Sequence, residues 1–401
     1  MTAMRHRARP GLPLCVLAAA ASVPLVSALN YDAWGWLLWG RELVGHLPFT
    51  TAGYPSWKPL TALVAVPLAP LGSAAPYLWL GLARAGAAVA LLLAYRLGRR
   101  VAGPWAGALA AATLMLVPGW LLQTGVGGSE PLLTALLLGA VERHAERAHG
   151  QGLALALLAA LLRPEAWPAL LLSGAVAWRR AQLRPFVALA VVAVPALWFG
   201  GEYLGSGSPF TGGELARMSK EAHALQQSDN PPPLVVLQRA AQMLSLPLLL
   251  GLPLGVAAGW RRRDPVLLAL SAGAIVWTAE VATMAALGYA GIPRFLFPAT
   301  AAGAVVGAAG LVLAIRRARR VPARVALTFL AALALSFEAG GPLSGVGRQA
   351  RMVEHRADRD QNLAAIVSRV GAAPRGEATA LAWRLGITTR ALRHRYAGAR
   401  R

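Results

Sequence analysis

The sequence predicts an all-α polytopic membrane protein with about eleven transmembrane helices, and two observations lead to this prediction. Hydrophobic residues make up 56% of the 401-residue chain and charged residues only 14%, whereas soluble domains carry roughly 25% charged residues. Apolar runs of about 18 to 24 residues recur from end to end, and each is long enough to cross a hydrocarbon core of roughly 30 Å. The single cysteine, Cys15, lies in the first run, so disulfides and cysteine-bound metal are excluded.

The predicted spans follow one another with mostly short connections. In chain order they cover about residues 11–29, 76–96, 104–123, 131–145, 151–163, 165–178, 185–203, 234–259, 266–288, 295–315 and 325–341. The three between 131 and 178 are short, so we expect them to be tilted, buried among other helices or partly re-entrant. The first run, followed by Val26-Ser27-Ala28, also resembles a secretory signal. We predict that it stays uncleaved, because the residues that follow it suggest a function.

The distribution of arginine predicts the orientation in the membrane. With the N-terminus in the cytoplasm, the cytoplasmic connections hold about 19 arginines and the opposite connections, without the tail, about six lysines and arginines. The net charge of +22 therefore reflects topology, and no nucleic-acid partner is expected. Residues 1–341 form the predicted transmembrane part, and 342–401 form a small basic tail that the odd number of spans places outside.

The first external loop, 30–75, is the longest polar segment between predicted spans. Its beginning, Asp32–Leu47, is predicted to form a short amphipathic helix. Three tryptophans of this helix suit a membrane interface: Trp34, Trp36 and Trp39. The apolar stretch Leu60–Leu71 is too short to cross the bilayer and is interrupted by two prolines. We expect it to lie along the membrane surface or to dip into it.

The 17 acidic residues are unevenly placed, because most of those before the tail lie on or near the predicted external face. They are Asp32, Glu42, Glu130, Glu165, Glu202, Glu214, Glu221 and Asp229. In so basic a chain, this asymmetry predicts an external acidic pocket. Carboxylates at helix ends beside a cavity suit general-base chemistry or cation binding.

Each candidate carboxylate also has a structural interpretation. Asp32 directly follows a membrane helix, so it is either a base held at the membrane surface or the cap of the amphipathic helix. Glu130 begins a helix, where an acidic residue is favoured by the helix dipole whether or not it acts chemically. Glu165 shares a corner with Arg163, and the two form either part of a site or a structural ion pair.

Cations near the predicted external face are candidates for binding phosphate. Arg294 lies just above an apolar run, where it could bind the phosphate of a lipid-linked substrate or anchor the chain at the interface. Lys58 has the same two interpretations. Glu280 and Arg84 fall within spans, as ion-pair partners or as cavity residues. Phosphate-loop motifs and histidine or cysteine pairs are absent from the sequence, so nucleotide and metal sites are not indicated.

Several segments together resemble the multi-spanning glycosyltransferases of the GT-C superfamily, which use polyprenyl-phosphate sugars as donors. The segments are Asn30-Tyr31-Asp32-Ala33-Trp34 with Trp39-Gly40-Arg41-Glu42, then Tyr54–Leu60, Gly128–Leu133, Leu162–Ala166 and Pro293–Pro298. In that superfamily an aspartate after the first helix acts as base. The loop Gly207–Arg217 looks like the branch that contains actinobacterial arabinofuranosyl- and mannosyltransferase-like proteins.

The resemblance implies an inverting transfer of a hexose or pentose from a polyprenyl-phosphate donor to a hydroxyl of a cell-envelope acceptor. The reaction would take place at the external face of the cytoplasmic membrane, among membrane lipids. The implied site residues are Asp32 and Glu130 as catalytic residues, Arg294, Arg163 and Lys58 on the donor phosphate, and Glu165, Arg41, Glu42 and Trp34 orienting the acceptor. No cofactor or metal is implied, although a divalent cation is compatible with the site. The oligomeric state is not predicted.

Two other classes of protein remain as alternatives. A secondary transporter would also place charges at helix breaks near the midplane, but the sequence shows no convincing internal repeat. A non-catalytic scaffold would leave the external carboxylates unexplained.

Overall fold

The computed structural model describes residues 11–25, 28–45, 47–52, 55–318, 325, 328, 345, 347–358 and 382–383. Among these residues all regular structure is helical, which confirms the predicted all-α class. The helices are α1 (Gly11–Ser22), α2 (Tyr31–Leu43), α3 (Pro59–Leu68), α4 (Ala75–Ala102), α5 (Pro104–Leu116), α6 (Trp120–Gly125), α7 (Glu130–Ala145), α8 (His149–Leu162), α9 (Trp167–Trp178), α10 (Arg184–Ser206), α11 (Thr211–Arg217), α12 (Lys220–Gln226), α13 (Pro232–Gln242), α14 (Leu246–Arg262), α15 (Pro265–Ala286) and α16 (Phe297–Arg317). Short 3-10 turns occupy Ala69–Ala74, Pro164–Ala166, Ala181–Leu183 and Pro293–Leu296.

Several of these elements have the length and composition of membrane spans. Among the described residues, four helical stretches are long and apolar enough to cross a bilayer: Pro59–Ala102, Ala181–Ser206, Pro265–Ala286 and Pro293–Arg317. The bent pair of α13 and α14 would form a fifth. The predicted count of eleven stays a prediction, and the last span, 325–341, lies outside the described residues except for positions 325 and 328.

The predicted span at 234–259 is not one continuous helix. Two helices, α13 and α14, occupy this region and meet at a bend of 99°. Pro247 lies in the first turn of α14, and in a continuous helix its ring would clash with the carbonyl of Met243. The chain therefore stops one helix and starts another at Met243–Ser245, although hydropathy stays high across the break.

The predicted span at 104–123 is interrupted in the same way. α5 ends at Leu116, and α6 begins only at Trp120. Val117 is extended, with ψ 133°, as expected for the residue before a proline. The following Gly119 takes a left-handed conformation with φ 87°, which glycine adopts without strain.

The amphipathic helix of the first external loop forms, but its tryptophans are buried in the protein rather than turned outward. Trp36 and Trp39 of α2 are 1% and 0% exposed. Trp36 packs on Trp79 with ring centroids 5.1 Å apart, and Trp39 packs on Trp57 at 4.9 Å. The expected exposed interfacial face is therefore wrong, because alternating indole rings fill the space between α2 and its neighbours.

Glycines let α14 pack directly against α16. A Cβ atom on Gly251 or Gly255 of α14 would collide with backbone carbonyl oxygens of α16. A Cβ atom on Gly307 of α16 would lie only 2.6 Å from the Leu248 carbonyl oxygen. Small residues at membrane helix contacts permit such close backbone approach. This contact fixes α16, which is buried over most of its length and begins three residues after Arg294.

Several of the arginines predicted to be cytoplasmic gather at one end of the molecule. Arg96 Nε lies 2.8 Å from Glu142 Oε1, Arg100 donates to the Ala145 carbonyl at 3.1 Å, and the Arg316 guanidinium lies against the backbone of Gly103. Along α7 this end is about 22 Å from Glu130. The structure thus separates these arginines from the candidate carboxylates, and which side of the membrane each end faces stays a prediction.

The described part of the tail folds back onto α2 and α6. The Gln349 side-chain oxygen accepts a hydrogen bond from the Leu122 backbone at 3.0 Å. Val353 lies close against Gly125, and Trp383 packs on α2, as detailed below. These contacts are with elements that directly carry or precede Asp32 and Glu130. The external location of the tail stays a prediction.

Candidate active site

Prolines place the charged candidate residues at helix breaks. Five of these charges have a proline as their neighbour in the chain, in the segments Lys58-Pro59, Glu130-Pro131, Arg163-Pro164-Glu165 and Pro293-Arg294. Proline fits the first turn of a helix and pushes the residue before it toward extended backbone. Accordingly, Lys58 has φ −140° and ψ 108°, and Arg163 has φ −150° and ψ 137°. Both side chains therefore leave the chain between helices instead of from within one.

Six side chains from these breaks and from α2 form one charge cluster: Asp32, Lys58, Glu130, Arg163, Glu165 and Arg294. Arg294 Nη2 lies 3.4 Å from Asp32 Oδ2, and Arg294 Nε lies 3.5 Å from Glu130 Oε1. The same Glu130 oxygen lies 3.2 Å from Arg163 Nη1. Opposite charges thus alternate along the chain of contacts, with Glu130 between the two arginines.

Arg163 is fully engaged by protein groups. Its Nη2 and Nε donate to the two carboxylate oxygens of Glu165 at 3.0 and 3.3 Å, a fork geometry that fixes both side chains. Its guanidinium carbon lies 4.0 Å from the ring centroid of Phe295, and its side chain is only 9% exposed. Arg163 therefore positions Glu130 and Glu165, and little of it is available to a phosphate.

Lys58 enters the cluster from the other side. Its Nζ donates to Ser129 Oγ at 3.2 Å and lies 4.7 Å from the ring centroid of Trp36. Burial, and next the charge of Arg163, lower the pKa of Lys58 to about 8. An anion bound beside Lys58 would raise this pKa again, because a nearby negative charge stabilises the protonated ammonium group.

The cluster has a buried side and an open side. The Glu130 and Glu165 side chains are 2% and 3% exposed, whereas those of Asp32 and Arg294 are 23% and 28% exposed. Asp32 is also free of a capping role, because Asn30 accepts the hydrogen bond from the Ala33 backbone at 2.8 Å. The capping interpretation of Asp32 is therefore wrong. Asp32 and Arg294 therefore form the side of the cluster that a molecule outside the protein can contact.

Three predicted acceptor-orienting residues lie outside the cluster. Arg41 stacks on Trp383, with its guanidinium carbon 3.1 Å from the ring centroid, and donates to the Trp383 carbonyl at 2.8 Å. Trp34 also packs on Trp383, with centroids 6.0 Å apart. Glu42 is buried and accepts from the Thr50 backbone at 3.1 Å. Because an α-helix rises about 1.5 Å per residue, Arg41 and Glu42 lie about 14 Å along α2 from Asp32.

Sequence reasoning left other contributors unassigned. Trp36 lies one turn after Asp32, a spacing that could have indicated a shared face, and Ser129 precedes Glu130. Glu280 lies on α15, which contacts the turn Pro164–Ala166, whereas Arg84 donates to the Ser22 carbonyl at the end of α1 and is structural. Among the described residues, no group of three or more histidine, cysteine or acidic side chains could hold a metal ion.

The arrangement combines a partly exposed carboxylate with a partly exposed guanidinium at ion-pair distance. Such a pair can accept a proton at one atom and stabilise a developing anion a few ångströms away. The buried carboxylates and Arg163 hold these groups in place. This chemistry suits the transfer of a group away from a phosphate.

Comparisons with known proteins add structural similarities of low identity. No family model and no curated protein matches the sequence. The chain is similar to the oligosaccharyltransferase of Archaeoglobus fulgidus in the apo form, with TM-score 0.44 and 16% identity over 87% of this chain and 55% of that one. A complex of Archaeoglobus fulgidus AglB with an inhibitory peptide and a dolichol-phosphate gives TM-score 0.45 and 14% identity, with the same coverage. ArnT from Cupriavidus metallidurans bound to undecaprenyl phosphate gives TM-score 0.49 and 16% identity over 98% and 79% of the two chains.

The chain thus spans about half the length of the two oligosaccharyltransferase structures, 55% in each case. With TM-scores below 0.5, these similarities leave the function to be inferred from the residues of this chain.

Proposed function

We propose that this protein is a membrane glycosyltransferase that moves a sugar from a polyprenyl-phosphate donor to an acceptor hydroxyl outside the cytoplasmic membrane, with inversion at the anomeric carbon. The observation that carries the proposal is the pairing of Asp32 and Arg294. They are 3.4 Å apart, and both side chains are about a quarter exposed. The pair sits at the start of α2 and just before α16, where the chain passes between an apolar helix and a polar segment.

The cations of the cluster suit the phosphate of a lipid-linked donor. Arg294 lies against two carboxylates but stays 28% exposed, and Lys58 donates to a neutral hydroxyl. Arg163 is also held by two carboxylates but is only 9% exposed. Guanidinium and ammonium groups bind phosphate oxygens by charge-assisted hydrogen bonds. A polyprenyl tail would lie among the apolar helices that adjoin the cluster, so a phosphate at this depth needs cations close to the membrane.

Asp32 acts as the general base in this proposal. It takes the proton of the acceptor hydroxyl as that oxygen forms a bond to the anomeric carbon. The bond between the anomeric carbon and the phosphate oxygen breaks, and its electron pair leaves with polyprenyl phosphate. Arg294 and Lys58 stabilise the leaving phosphate, so neither a nucleotide nor a covalent enzyme intermediate is required.

Glu130, Glu165 and Arg163 are positioning residues in this scheme. Glu130 is 2% exposed and lies against both arginines, so it is poorly placed to reach an acceptor. It fixes the angle at which Arg294 is presented to the phosphate. The sugar is proposed to be arabinofuranose or mannose, on the resemblance of the loop Gly207–Arg217.

The direct test is donor consumption by the purified protein in lipid nanodiscs. We expect decaprenyl-phosphoryl arabinose or decaprenyl-phosphoryl mannose to be converted to decaprenyl phosphate when a cell-envelope glycan acceptor is added. Asp229→Asn serves as a control, because Asp229 is an exposed acidic residue outside the cluster. If neither donor is bound or consumed, and proteoliposomes instead accumulate a solute, the secondary transporter replaces the enzyme.

A further inference from the structure

Helix α15 carries one carboxyl group that the proposed reaction does not use. Glu280 lies within this long apolar helix, six residues before its end at Ala286. An ionisable side chain inside a membrane span is costly and is retained where it faces a cavity or a partner. Its sequence context left open whether Glu280 has an ion-pair partner or lines a cavity.

The structure orients this part of α15 toward the charge cluster. Trp277, one turn before Glu280, donates from Nε1 to the Phe295 carbonyl at 2.7 Å, and Phe295 also carries the Arg163 guanidinium on its ring. Residues three apart share a helix face, so Glu280 projects to the same side. α15 also contacts the turn Pro164–Ala166, which carries Glu165.

Glu280 has an unsatisfied oxygen at this position. Its Oε2 atom is buried without a hydrogen-bond partner among the described residues, while the side chain as a whole is partly exposed. Arg163, the cation beside the turn that α15 contacts, is already divided between Glu130 and Glu165. A buried polar oxygen without a partner has lost its hydrogen bonds to water and gained none in return. A hydrogen-bond donor on a bound substrate would satisfy the Glu280 Oε2 atom.

We propose that Glu280 accepts a hydrogen bond from a hydroxyl of the donor sugar and so contributes to sugar recognition. A carboxyl group repels phosphate, so the ligand must be a hydrogen-bond donor. Sugar hydroxyls fit this requirement, and the first of them is two bonds from the anomeric carbon. α15 meets the cluster at the turn that carries Glu165, and Glu165 lies at the opposite end of the chain of contacts from Asp32, so Glu280 does not compete with the base for the acceptor. This inference rests on the proposed function and extends it to the sugar.

Two lipids separate the contribution of the sugar from that of the phosphate. Binding of decaprenyl phosphate, which has no sugar, is compared with binding of decaprenyl-phosphoryl arabinose or mannose, whichever the wild type binds more tightly. Glu280→Ala should lose about 10- to 100-fold in affinity for the sugar-bearing lipid, the value of one hydrogen bond to a charged group. Its affinity for decaprenyl phosphate should be unchanged. Glu280→Gln keeps an acceptor oxygen and should lose less than about tenfold.

Thr278→Val is the matched control on the same helix, because the Thr278 hydroxyl donates to the Ala274 carbonyl of its own helix at 2.8 Å. It should bind both lipids like the wild type, and size-exclusion profiles should show all variants folded. Equal losses for both lipids in Glu280→Ala, or no loss for either, overturn the inference. A wild type that prefers no sugar-bearing lipid over decaprenyl phosphate overturns it as well. Failure of the wild type to bind decaprenyl phosphate instead refutes the proposed function itself.

Discussion

Replacement of Asp32 by asparagine tests the assignment of the base. Asparagine has nearly the same size and shape, and the α2 cap is provided by Asn30, so helix α2 should start as before. The lost ion pair with Arg294 joins two side chains that are 23% and 28% exposed. Fully exposed pairs contribute about 0–1 kcal/mol, and this partly exposed pair, at the long separation of 3.4 Å, contributes little more. The variant should therefore insert and fold like the wild type.

The effect on transfer should be much larger than the effect on stability. An amide cannot accept the proton of the acceptor hydroxyl, and a positioned general base contributes about 10²- to 10⁴-fold to rate. At 1.36 kcal/mol for each factor of ten, this is about 3–5 kcal/mol of activation free energy. Binding of decaprenyl phosphate should stay equal or become tighter, because a negative charge next to Arg294 has been removed.

The assay is single-turnover transfer from labelled donor in nanodiscs, with decaprenyl phosphate binding measured on the same preparation. Asp229→Asn, on the exposed loop between α12 and α13, controls for the loss of one acidic residue. Near wild-type transfer by purified Asp32→Asn would refute the assignment. A parallel loss of phosphate binding would instead indicate that Asp32 acts by orienting Arg294.

Three further outcomes follow from the same geometry. Arg294→Ala should weaken decaprenyl phosphate binding about 10- to 100-fold through loss of a charge-assisted contact. The control Arg217→Ala, at an exposed arginine, should bind like the wild type. Unchanged affinity in Arg294→Ala would show that Arg294 does not contact the phosphate. Lys58, whose pKa burial and the Arg163 charge lower to about 8, is charged below that pH and neutral above it. The donor kcat/KM should therefore fall as pH rises through about 8, and Lys58→Arg should shift the fall to higher pH; a flat profile between about pH 7 and pH 9 contradicts this. A fusion at Arg401 should give active alkaline phosphatase and dark GFP if the tail is external, and the reverse pattern would imply ten spans.

Much of the charge cluster was predictable because its residues carry a local signal. Lys58, Glu130, Arg163 and Arg294 each have a proline as neighbour between apolar runs. A charge next to a helix-breaking residue indicates where a membrane helix stops, and helix ends on one side of a membrane meet at similar depth. The sequence therefore indicated which side chains would lie near one another without showing their distances.

The misplaced elements lacked such a signal. Hydropathy averaged across Met243–Ser245 or across Val117–Gly119 remains high, so it does not reveal the helix breaks. They could have been predicted only by giving the nearby prolines more weight than the apolar composition. The indoles of α2 present the same difficulty, since a tryptophan pattern does not distinguish lipid from a protein neighbour. The partner of Arg41 and Trp34, Trp383, lies too far along the chain for local pattern reasoning to find it.

The contact between Arg41 and Trp383 spans 342 positions, and this bears on how the protein is made. The segment around α2 leaves the ribosome 342 positions before Trp383 does. During synthesis at about 5–20 residues per second, α2 waits roughly 20–70 seconds for its partner. Throughout that interval the indole of Trp34 and the guanidinium of Arg41 lack this cover. A chaperone or insertase that shields α2 would therefore act early, and loss of the tail would prolong its association with the nascent protein.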